Sequence, residues 1–314
     1  PPSAADPDDA WAMAWALNNP DWEVVGVVVS FGNCACETPP TTCDAPAPDP
    51  GQIACEVLDE QIEIARWVVQ ACGRETPVYR GASRRFALDG PAPDGTTEAL
   101  EAVLAHPEPV TIIGIGPATD PAYLVRDLAA LGRLDRVERL MLEMGQIGPW
   151  AGQAGFTING MPVSDYNFRS DPDAAKWLFD TADLLPETTL VPFNSIRFGY
   201  VTEPGLDLLA AVDRATTDRV SADSRAWLEK WVGIFGEPGF HLWDLVCTLA
   251  AADGAEFDTV PVRATVECID GTPSLQLTEA PRGSRITCAR HLAGMGPPLV
   301  SQPVTFASAD ATTG

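Results

Sequence analysis

Residues 109–145 read PVTIIGIGPATDPAYLVRDLAALGRLDRVERLMLEMG, and this stretch decides the fold class. Its first third is a run of β-branched and apolar residues, which is typical of a strand buried on both faces of a sheet. Pro121 then opens an amphipathic segment that predicts a helix, because proline is tolerated at a first helical position. Residues 137–145 predict a second strand. A strand, a helix and a strand in this order indicate a parallel pair joined by a right-handed crossover.

The same alternation extends along most of the chain. Strands are predicted over 22–32, 76–82 and 188–194, and helices over 56–73, 95–108, 171–182 and 205–235. Three strand-like runs near the C-terminus, 260–271, 274–281 and 283–290, predict a small antiparallel addition. We therefore expect one α/β domain over residues 1–314, built on an open, mainly parallel twisted sheet flanked by helices. In such a fold a ligand binds at the carboxyl edge of the strands.

The charge balance excludes one class of partner. The chain carries 44 acidic and 20 basic residues, which gives a formal net charge of -24. Nucleic-acid binding needs clustered Lys and Arg to neutralise phosphates, so we expect no nucleic-acid partner. No apolar run approaches the roughly 20 residues that span a bilayer, so we expect no membrane span either.

Cysteine usage predicts an oxidising compartment. Four of the eight cysteines lie in a Pro-rich loop insertion over residues 34–55, namely Cys34, Cys36, Cys43 and Cys55. Such a loop builds no core of its own, and its cysteine spacing fits no common zinc pattern, so disulfides are favoured over a metal cluster. Cys268 and Cys288 could bridge neighbouring strands, whereas Cys72 and Cys247 fit as buried thiols. We therefore predict an extracellular or other oxidising location.

Short polar side chains gather at predicted strand ends and helix starts. They are Asp8, Asp9, Asn33, Asn159, Asp165, Asn167 and Asp244, with Trp243 beside the last of them and Met144 at the end of the strand over 137–145. Such a rim suits a hard cation and a polyhydroxylated ligand such as a sugar. Each member also has a simpler interpretation. Aspartates favour the positive end of a helix dipole, Asn33 follows Gly32 in a turn-like pair, and a lone Trp is commonly a core residue.

Several of these segments resemble, in order, the motifs of the nucleoside hydrolases (inosine-uridine preferring N-ribohydrolases). DDAWAMAWAL is similar to the end of the family's D-x-D-x-x-x-D-D opening and the helix after it. The block NGMPVSDYNFRSDPDAA, residues 159–175, is the most specific match. Further matching segments are VGVVVSFGN, PVYRGASR, VTIIGIGPATDPAYLV, LMLEMG and WDLVCTLAAA.

The resemblance implies an open α/β fold with Ca²⁺ at the base of a ribose pocket. By position, Asp9, Asp244 and the backbone carbonyl of Met144 would ligate the calcium ion. The ribose oxygens would be bound by Asp8, Asn33, Asn159, Asp165 and Asn167. Trp243 stands where purine-preferring members stack the leaving base, which favours a purine nucleoside as substrate. We also expect the chain to form a homo-oligomer or to be a subunit of an assembly.

One departure from the family pattern bears on catalysis. The family's catalytic Asp lies four residues before the Asp pair, and that position is Ala4 in this chain. Asp6 is the substitute carboxylate in the opening stretch, so we assign it the catalytic role together with Trp243. The family's acidic residues could instead lie upstream of Pro1, with a lengthened loop. The alternative is a catalytically impaired homologue that acts as an extracellular binding or structural protein. A third, weaker alternative is a sugar-binding protein or related hydrolase with a different ligand.

Overall fold

The computed structural model describes residues 6–31, 56–145, 157–163, 165–181, 184, 187–193, 200–212, 215–253, 258–269, 271–281 and 285–290. Its helices are α1 (Asp8–Asn18), α2 (Glu56–Ala71), α3 (Asp94–Ala105), α4 (Thr119–Ala130), α5 (Tyr166–Ser170), α6 (Pro172–Asp180), α7 (Glu203–Ala210), α8 (Ala215–Phe235) and α9 (Trp243–Asp253). Its strands are β1 (Val27–Val29), β2 (Val78–Arg80), β3 (Val110–Gly114), β4 (Val137–Glu143), β5 (Thr157–Ile158), β6 (Met161–Pro162), β7 (Glu187–Val191), β8 (Tyr200–Thr202), β9 (Gly239–His241), β10 (Asp258–Ile269), β11 (Thr272–Glu279) and β12 (Ile286–Arg290). The region predicted as helical over 205–235 is divided between α7 and α8.

A six-stranded sheet in the order β11-β10-β12-β7-β4-β3 forms the centre of the fold. β3, β4, β7 and β12 are parallel, while β10 pairs antiparallel with both β12 and β11. The mainly parallel sheet and its antiparallel addition are therefore confirmed. The addition differs in one respect, because β12 lies in the sheet between β10 and β7 and pairs parallel with β7.

The strand predicted over 22–32 is shorter than expected. β1 covers only Val27–Val29, its residues are half-buried, and it pairs parallel with β2 in a separate two-stranded sheet. A strand at this position has fewer neighbours to cover it than the central strands have. Only three residues of this apolar run therefore form a strand, and they are half-buried.

Helices cover both faces of the central sheet. In β4, Leu140 and Leu142 pack into a core with Leu178 of α6, whereas Met141 packs on the opposite face with Val246 of α9. All three β4 side chains are at most 2% exposed. This alternation across a strand buried on both sides explains why residues 140–142 of β4 are all apolar.

Buried aspartates fasten the loop that follows β2. Asp120 accepts hydrogen bonds from the backbone N–H of Ala82 and the Thr96 hydroxyl. Asp171 caps α6 by accepting from the N–H of Ala174, and it also accepts from the N–H of Phe86 and the Thr119 hydroxyl. Each carboxylate therefore joins this loop to the start of a helix, as a buried charge with several donors can.

The described cysteines correct one sequence prediction. Cys72, Cys247 and Cys288 are thiols, which contradicts a Cys268–Cys288 disulfide. The interpretation as a buried thiol is confirmed for Cys247, whereas Cys72 is a thiol that is only half-buried. The sheet register gives the reason, because Cys288 lies opposite Val260 while Cys268 lies eight residues further along β10. The cysteines of residues 34–55 lie outside the described residues. Among the described helices, none combines the length and the apolar character needed to cross a bilayer.

Candidate functional site

Three carboxylates meet where the first turns of two helices approach each other. Asp8 and Asp9 lie in the first turn of α1, and Asp244 lies in the first turn of α9. One oxygen from each carboxylate lies within 4.8 Å of the other two. The N–H of Asp244 also donates to Oδ2 of Asp8 at 3.4 Å, which places one helix start against the other. Backbone N–H groups at helix N-termini favour nearby negative charge, which helps to hold carboxylates here.

Asp6 lies next to this cluster. Its Oδ1 accepts the N–H of Asp8 at 3.4 Å, and the residue lines the same cavity as Asp8 and Asp9. Burial, followed by the charge of Asp8, raises the pKa of the Asp6 carboxyl well above its usual value. The structure therefore brings together all three carboxylates of the opening stretch.

A second polar group joins the ends of β3 and β4 to the start of α5. Asp165 caps α5 by accepting the N–H of Phe168 at 3.0 Å, and its Oδ2 accepts the N–H of Gly145. Gly145 has a φ of 95°, a left-handed conformation that glycine adopts readily. Nδ2 of Asn167 donates to the carbonyl oxygens of Ile115 and Glu143, both at 3.1 Å. Asp165 and Asn167 thus lie at the carboxyl edge of the sheet.

Glu143 is a site residue that sequence reasoning missed. It is the last residue of β4, its side chain is buried, and its Oε2 accepts from Nδ2 of Asn167 at 2.6 Å. Burial, then the charges of Asp165, Asp8 and Asp9, raise its pKa well above the usual value. The available signal was an acidic residue directly after the apolar run 140–142 of a central strand, where a buried charge needs a partner.

The other predicted site residues are placed less centrally or lie outside the described part. The Met144 side chain is fully buried in the core. Asn159 is an exposed residue at the β5–β6 turn, with a φ of 47°, and its Nδ2 donates to the carbonyl of Phe235 at 2.9 Å. This contact holds Asn159 at the end of α8, away from the carboxylate cluster. Asn33 lies outside the described residues.

Aromatic side chains form a wall beside the carboxylates. The Trp243 ring lies 5.8 Å from that of Trp231 and 5.4 Å from that of His241, measured between centroids. Nε1 of Trp243 donates to the carbonyl of Phe193 at 3.1 Å, which fixes the ring. Trp231 was also missed from the sequence, although aromatic residues recur every four positions at 227, 231 and 235 of α8. This spacing places them on one helix face.

One cavity of about 840 Å³ joins the carboxylates and the aromatic wall. Its lining includes Asp8, Asp9, Glu143, Asp165, Asn167, Trp231, Trp243 and Asp244. Burial, then the charges of Asp8, Asp9, Glu143 and Asp6, raise the pKa of Asp244 well above its usual value. The carboxylates of this cavity offer only oxygen atoms as metal ligands. Such a set suits a hard divalent cation such as Ca²⁺, which takes six to eight oxygen ligands. The residues present therefore suit such a cation, and the wall suits a flat aromatic group.

Without a cation, the carboxylates make stability depend on pH. Burial raises the pKa of Asp165 to about 6, and desolvation with the charge of Asp8 raises that of Asp9 to about 7. Asp9 is exposed, so water screens its charge, whereas the charge of the buried Asp165 is screened much less and contributes more to the pH dependence. Between the unfolded value, about 4, and these folded values, the folded chain binds more protons than the unfolded chain. Stability therefore decreases as pH rises through this window.

We predict that the chelator-treated protein melts at a higher temperature at pH 5 than at pH 8. Added Ca²⁺ should restore more stability at pH 8 than at pH 5, because metal binding requires ionised carboxylates and fewer protons compete at the higher pH. Thermal unfolding followed by circular dichroism, with and without Ca²⁺, measures both effects. A melting temperature that rises steadily from pH 5 to pH 8 in chelator contradicts the prediction.

Comparison with known proteins identifies the family of this chain. The family model described as "Inosine-uridine preferring nucleoside hydrolase" matches residues 56–291. A curated relative, "Pyrimidine-specific ribonucleoside hydrolase RihA" of Shewanella sp. (strain MR-4), is 31% identical over 183 residues. That match covers 55% of this chain and 52% of the relative, so the chain spans about half the length of the curated relatives it matches.

Solved structures agree in fold. "Purine-Preferring Ribonucleoside Hydrolase from Gardnerella vaginalis" superposes with a TM-score of 0.68 at 16% identity, covering 91% of each chain. The inosine-uridine preferring nucleoside hydrolase from Bacillus anthracis gives a TM-score of 0.63 at 15% identity, covering 90% of each chain. At these identities the likeness concerns the fold alone. The family model, which spans most of the chain, shows that this protein belongs to the inosine-uridine preferring nucleoside hydrolase family.

Proposed function

We propose that this chain hydrolyses the N-ribosidic bond of nucleosides, releasing ribose and the free base, with a calcium ion bound at the carboxylate cluster. The observation that carries the proposal is the convergence of Asp8, Asp9 and Asp244 within 4.8 Å. They share one cavity with Asp165, Asn167 and the aromatic wall. That cavity offers separate places for a cation, a sugar and a base.

The cation would be held by the carboxylates of Asp9 and Asp244 and the carbonyl of Met144. When bound, Ca²⁺ lowers the pKa of a coordinated water and orients the sugar hydroxyls. The chain's own contribution is to hold the carboxylates at two helix starts, so that they need not rearrange when the ion enters. The hydrogen bond from the Asp244 N–H to Asp8 supports this preorganisation.

The sugar would be bound by Asp8, Asp165 and Asn167, together with Asn33. Asn159 is not part of this set, because its side chain donates to the carbonyl of Phe235. Cleavage of the N-ribosidic bond develops positive charge on the sugar ring. Carboxylate and amide oxygens placed around the ring stabilise that charge in the transition state. Asp165 and Asn167 are each fixed by hydrogen bonds to the ends of β3 and β4, which gives the sugar a rigid binding surface.

Asp6 is proposed as the group that accepts a proton from the attacking water. It supplies the carboxylate that the family motif otherwise places at position 4, where this chain has Ala. The place of Asp6 beside Asp8, in the same cavity, supports the role, because a general base must lie within hydrogen-bond reach of the water that it deprotonates.

Trp243 is proposed to stack against the leaving base, and its position favours purines, which present a larger ring surface. The solved purine-preferring structure is consistent with this preference, whereas the curated relatives carry pyrimidine-specific names. We therefore expect Trp243→Ala to lower kcat/KM for inosine by about tenfold to a hundredfold, the range of one base–aromatic stacking contact. Trp243→Phe is the matched control, because it keeps a ring and should retain most of the activity. Equal activity of the Ala variant and the wild type contradicts the stacking role.

The proposed activity is tested by incubating the protein with inosine, guanosine and uridine and measuring free ribose. We expect ribose release with Ca²⁺, loss of release in excess chelator, and recovery when Ca²⁺ is returned. Faster release from inosine and guanosine than from uridine supports the purine preference. No ribose from any nucleoside with Ca²⁺ present contradicts the hydrolase proposal.

A second candidate function is a binding protein built on the same site with hydrolysis lost. Ala4 favours it, because the motif position of the catalytic Asp lacks a carboxylate. This candidate predicts that ribose and nucleosides bind in calorimetry while no ribose is released. Measurable turnover that is lost in Asp6→Asn rejects it.

A further inference from the structure

Glu143 has one carboxylate oxygen that is satisfied and one that is not. Oε2 accepts from Nδ2 of Asn167 at 2.6 Å, which fixes the direction of the side chain. Oε1 is buried, and no donor in the described part of the chain reaches it. The residue is only 4% exposed, so water does not compensate this oxygen freely. A buried polar atom without a partner is costly and calls for a specific explanation.

The surroundings of Glu143 indicate what that partner is. The side chain lines the same cavity as Asp8, Asp9 and Asp244, whose nearest carboxylate oxygens lie within 4.8 Å of one another. Glu143 lies beside this three-residue group rather than within it. A neutral hydrogen-bond donor would satisfy Oε1 but would leave the repulsion between the carboxylates unchanged. A cation would both coordinate Oε1 and offset the repulsion between the carboxylates, because a bound metal ion is commonly the largest local charge in such a site.

We propose that Glu143 is a further oxygen ligand of the cation site, held ready by Asn167 at the end of β4. The proposal rests on the proposed function, which places a divalent cation among these carboxylates. Asp9 and Asp244 approach the ion from helix starts, and Glu143 adds a ligand from the central sheet. An added negative ligand raises affinity, since ligand charge count sets how tightly oxygen sites hold Ca²⁺.

Asn167 also orients Glu143. Its amide nitrogen contacts both the backbone carbonyl and the carboxylate of Glu143. Asn167 is therefore a positioning residue for this ligand, in addition to its proposed contact with the sugar. Groups that orient a metal ligand commonly change metal affinity about tenfold to a hundredfold when they are removed.

Calorimetric titration of the chelator-stripped protein with Ca²⁺ tests the proposal. We expect Glu143→Gln to bind Ca²⁺ at least about tenfold more weakly than the wild type. Glu143→Asp, which keeps the charge on a shorter side chain, should bind more tightly than the Gln variant. Glu187→Gln is the matched control, because it removes the same charge from an exposed residue at the start of β7 and should bind as the wild type does. Unaltered affinity in both Glu143 variants overturns the proposal.

Melting of the metal-free variants separates a ligand role from a structural one. Gln is nearly isosteric with Glu and keeps an oxygen for Asn167, so Glu143→Gln should melt at or above the wild-type temperature. A Gln variant that is less stable without metal, with unchanged affinity for Ca²⁺, overturns the ligand role. If the wild type binds no Ca²⁺, the proposed cation site fails together with this ligand. If the wild type binds Ca²⁺ and releases ribose but Glu143→Gln binds equally well, only the inference about Glu143 fails.

Discussion

Replacing Asp244 with asparagine is expected to lower the rate of ribose release from inosine by about a hundredfold to a thousandfold, the loss typical of removing one main electrostatic contact from a preorganised site. Asp244 is 5% exposed and shares the carboxylate cluster with Asp8 and Asp9. Asn is nearly the same size but carries no charge, so it should weaken cation binding while leaving the fold intact. Initial rates at saturating inosine and Ca²⁺ measure the effect.

Asp94→Asn is the matched control for this variant. Asp94 also lies in the first turn of a helix, but it is exposed and outside the carboxylate cluster. The control should retain wild-type activity and calcium affinity, since a first-turn aspartate alone contributes only helix-dipole stabilisation. An Asp244→Asn variant that releases ribose as fast as Asp94→Asn contradicts the role assigned to Asp244.

Replacing Asp171 with alanine is expected to reduce the free energy of unfolding by about 3–5 kcal/mol. The carboxylate is fully buried and accepts from the N–H groups of Phe86 and Ala174 and from the Thr119 hydroxyl. Its loss leaves three donors without this acceptor, and each buried unsatisfied group costs about 1–3 kcal/mol. Relief of the carboxylate's own burial offsets part of this cost. Urea denaturation measures the change through the transition midpoint.

Asp173→Ala provides the comparison within the same helix. Asp173 lies in the first turn of α6 but is exposed, so its loss should cost no more than about 1 kcal/mol. A similar shift in the denaturation midpoint for both variants would mean that Asp171 acts only as a helix-terminal charge, contrary to its bridging role between α6 and the loop after β2.

The fold was predictable where one physical signal dominated. The stretch over 109–145 forms β3, α4 and β4 as expected, because strands buried on both faces need continuous apolar sequence. Two features depended on long-range pairing, which local patterns do not carry. β12 joins the parallel part of the sheet beside β7, and β1 pairs only with β2.

Some residues of the candidate site could be predicted from the sequence, and others could not. Asp8, Asp9 and Asp244 were identifiable because short carboxylates at helix starts follow recognisable motifs, and the structure brings them together. Glu143 was not identified, because a charged residue at the end of a strand is commonly exposed, and the partner that shows its burial, Asn167, lies on another element. Asn159 was identified by its motif position, which predicts a ribose contact. Its side chain instead donates a hydrogen bond to the carbonyl of Phe235. Sequence spacing indicates which residues are available, and tertiary packing determines which of them converge.

A crystal structure grown with Ca²⁺ and ribose tests the central claim, that one cavity holds both a cation and a nucleoside sugar. The account predicts one calcium ion at about 2.3–2.6 Å from carboxylate oxygens of Asp9 and Asp244. It also predicts ribose hydroxyls on that ion and on Asp165 and Asn167. A calcium ion bound elsewhere, with no sugar in the cavity, contradicts the account.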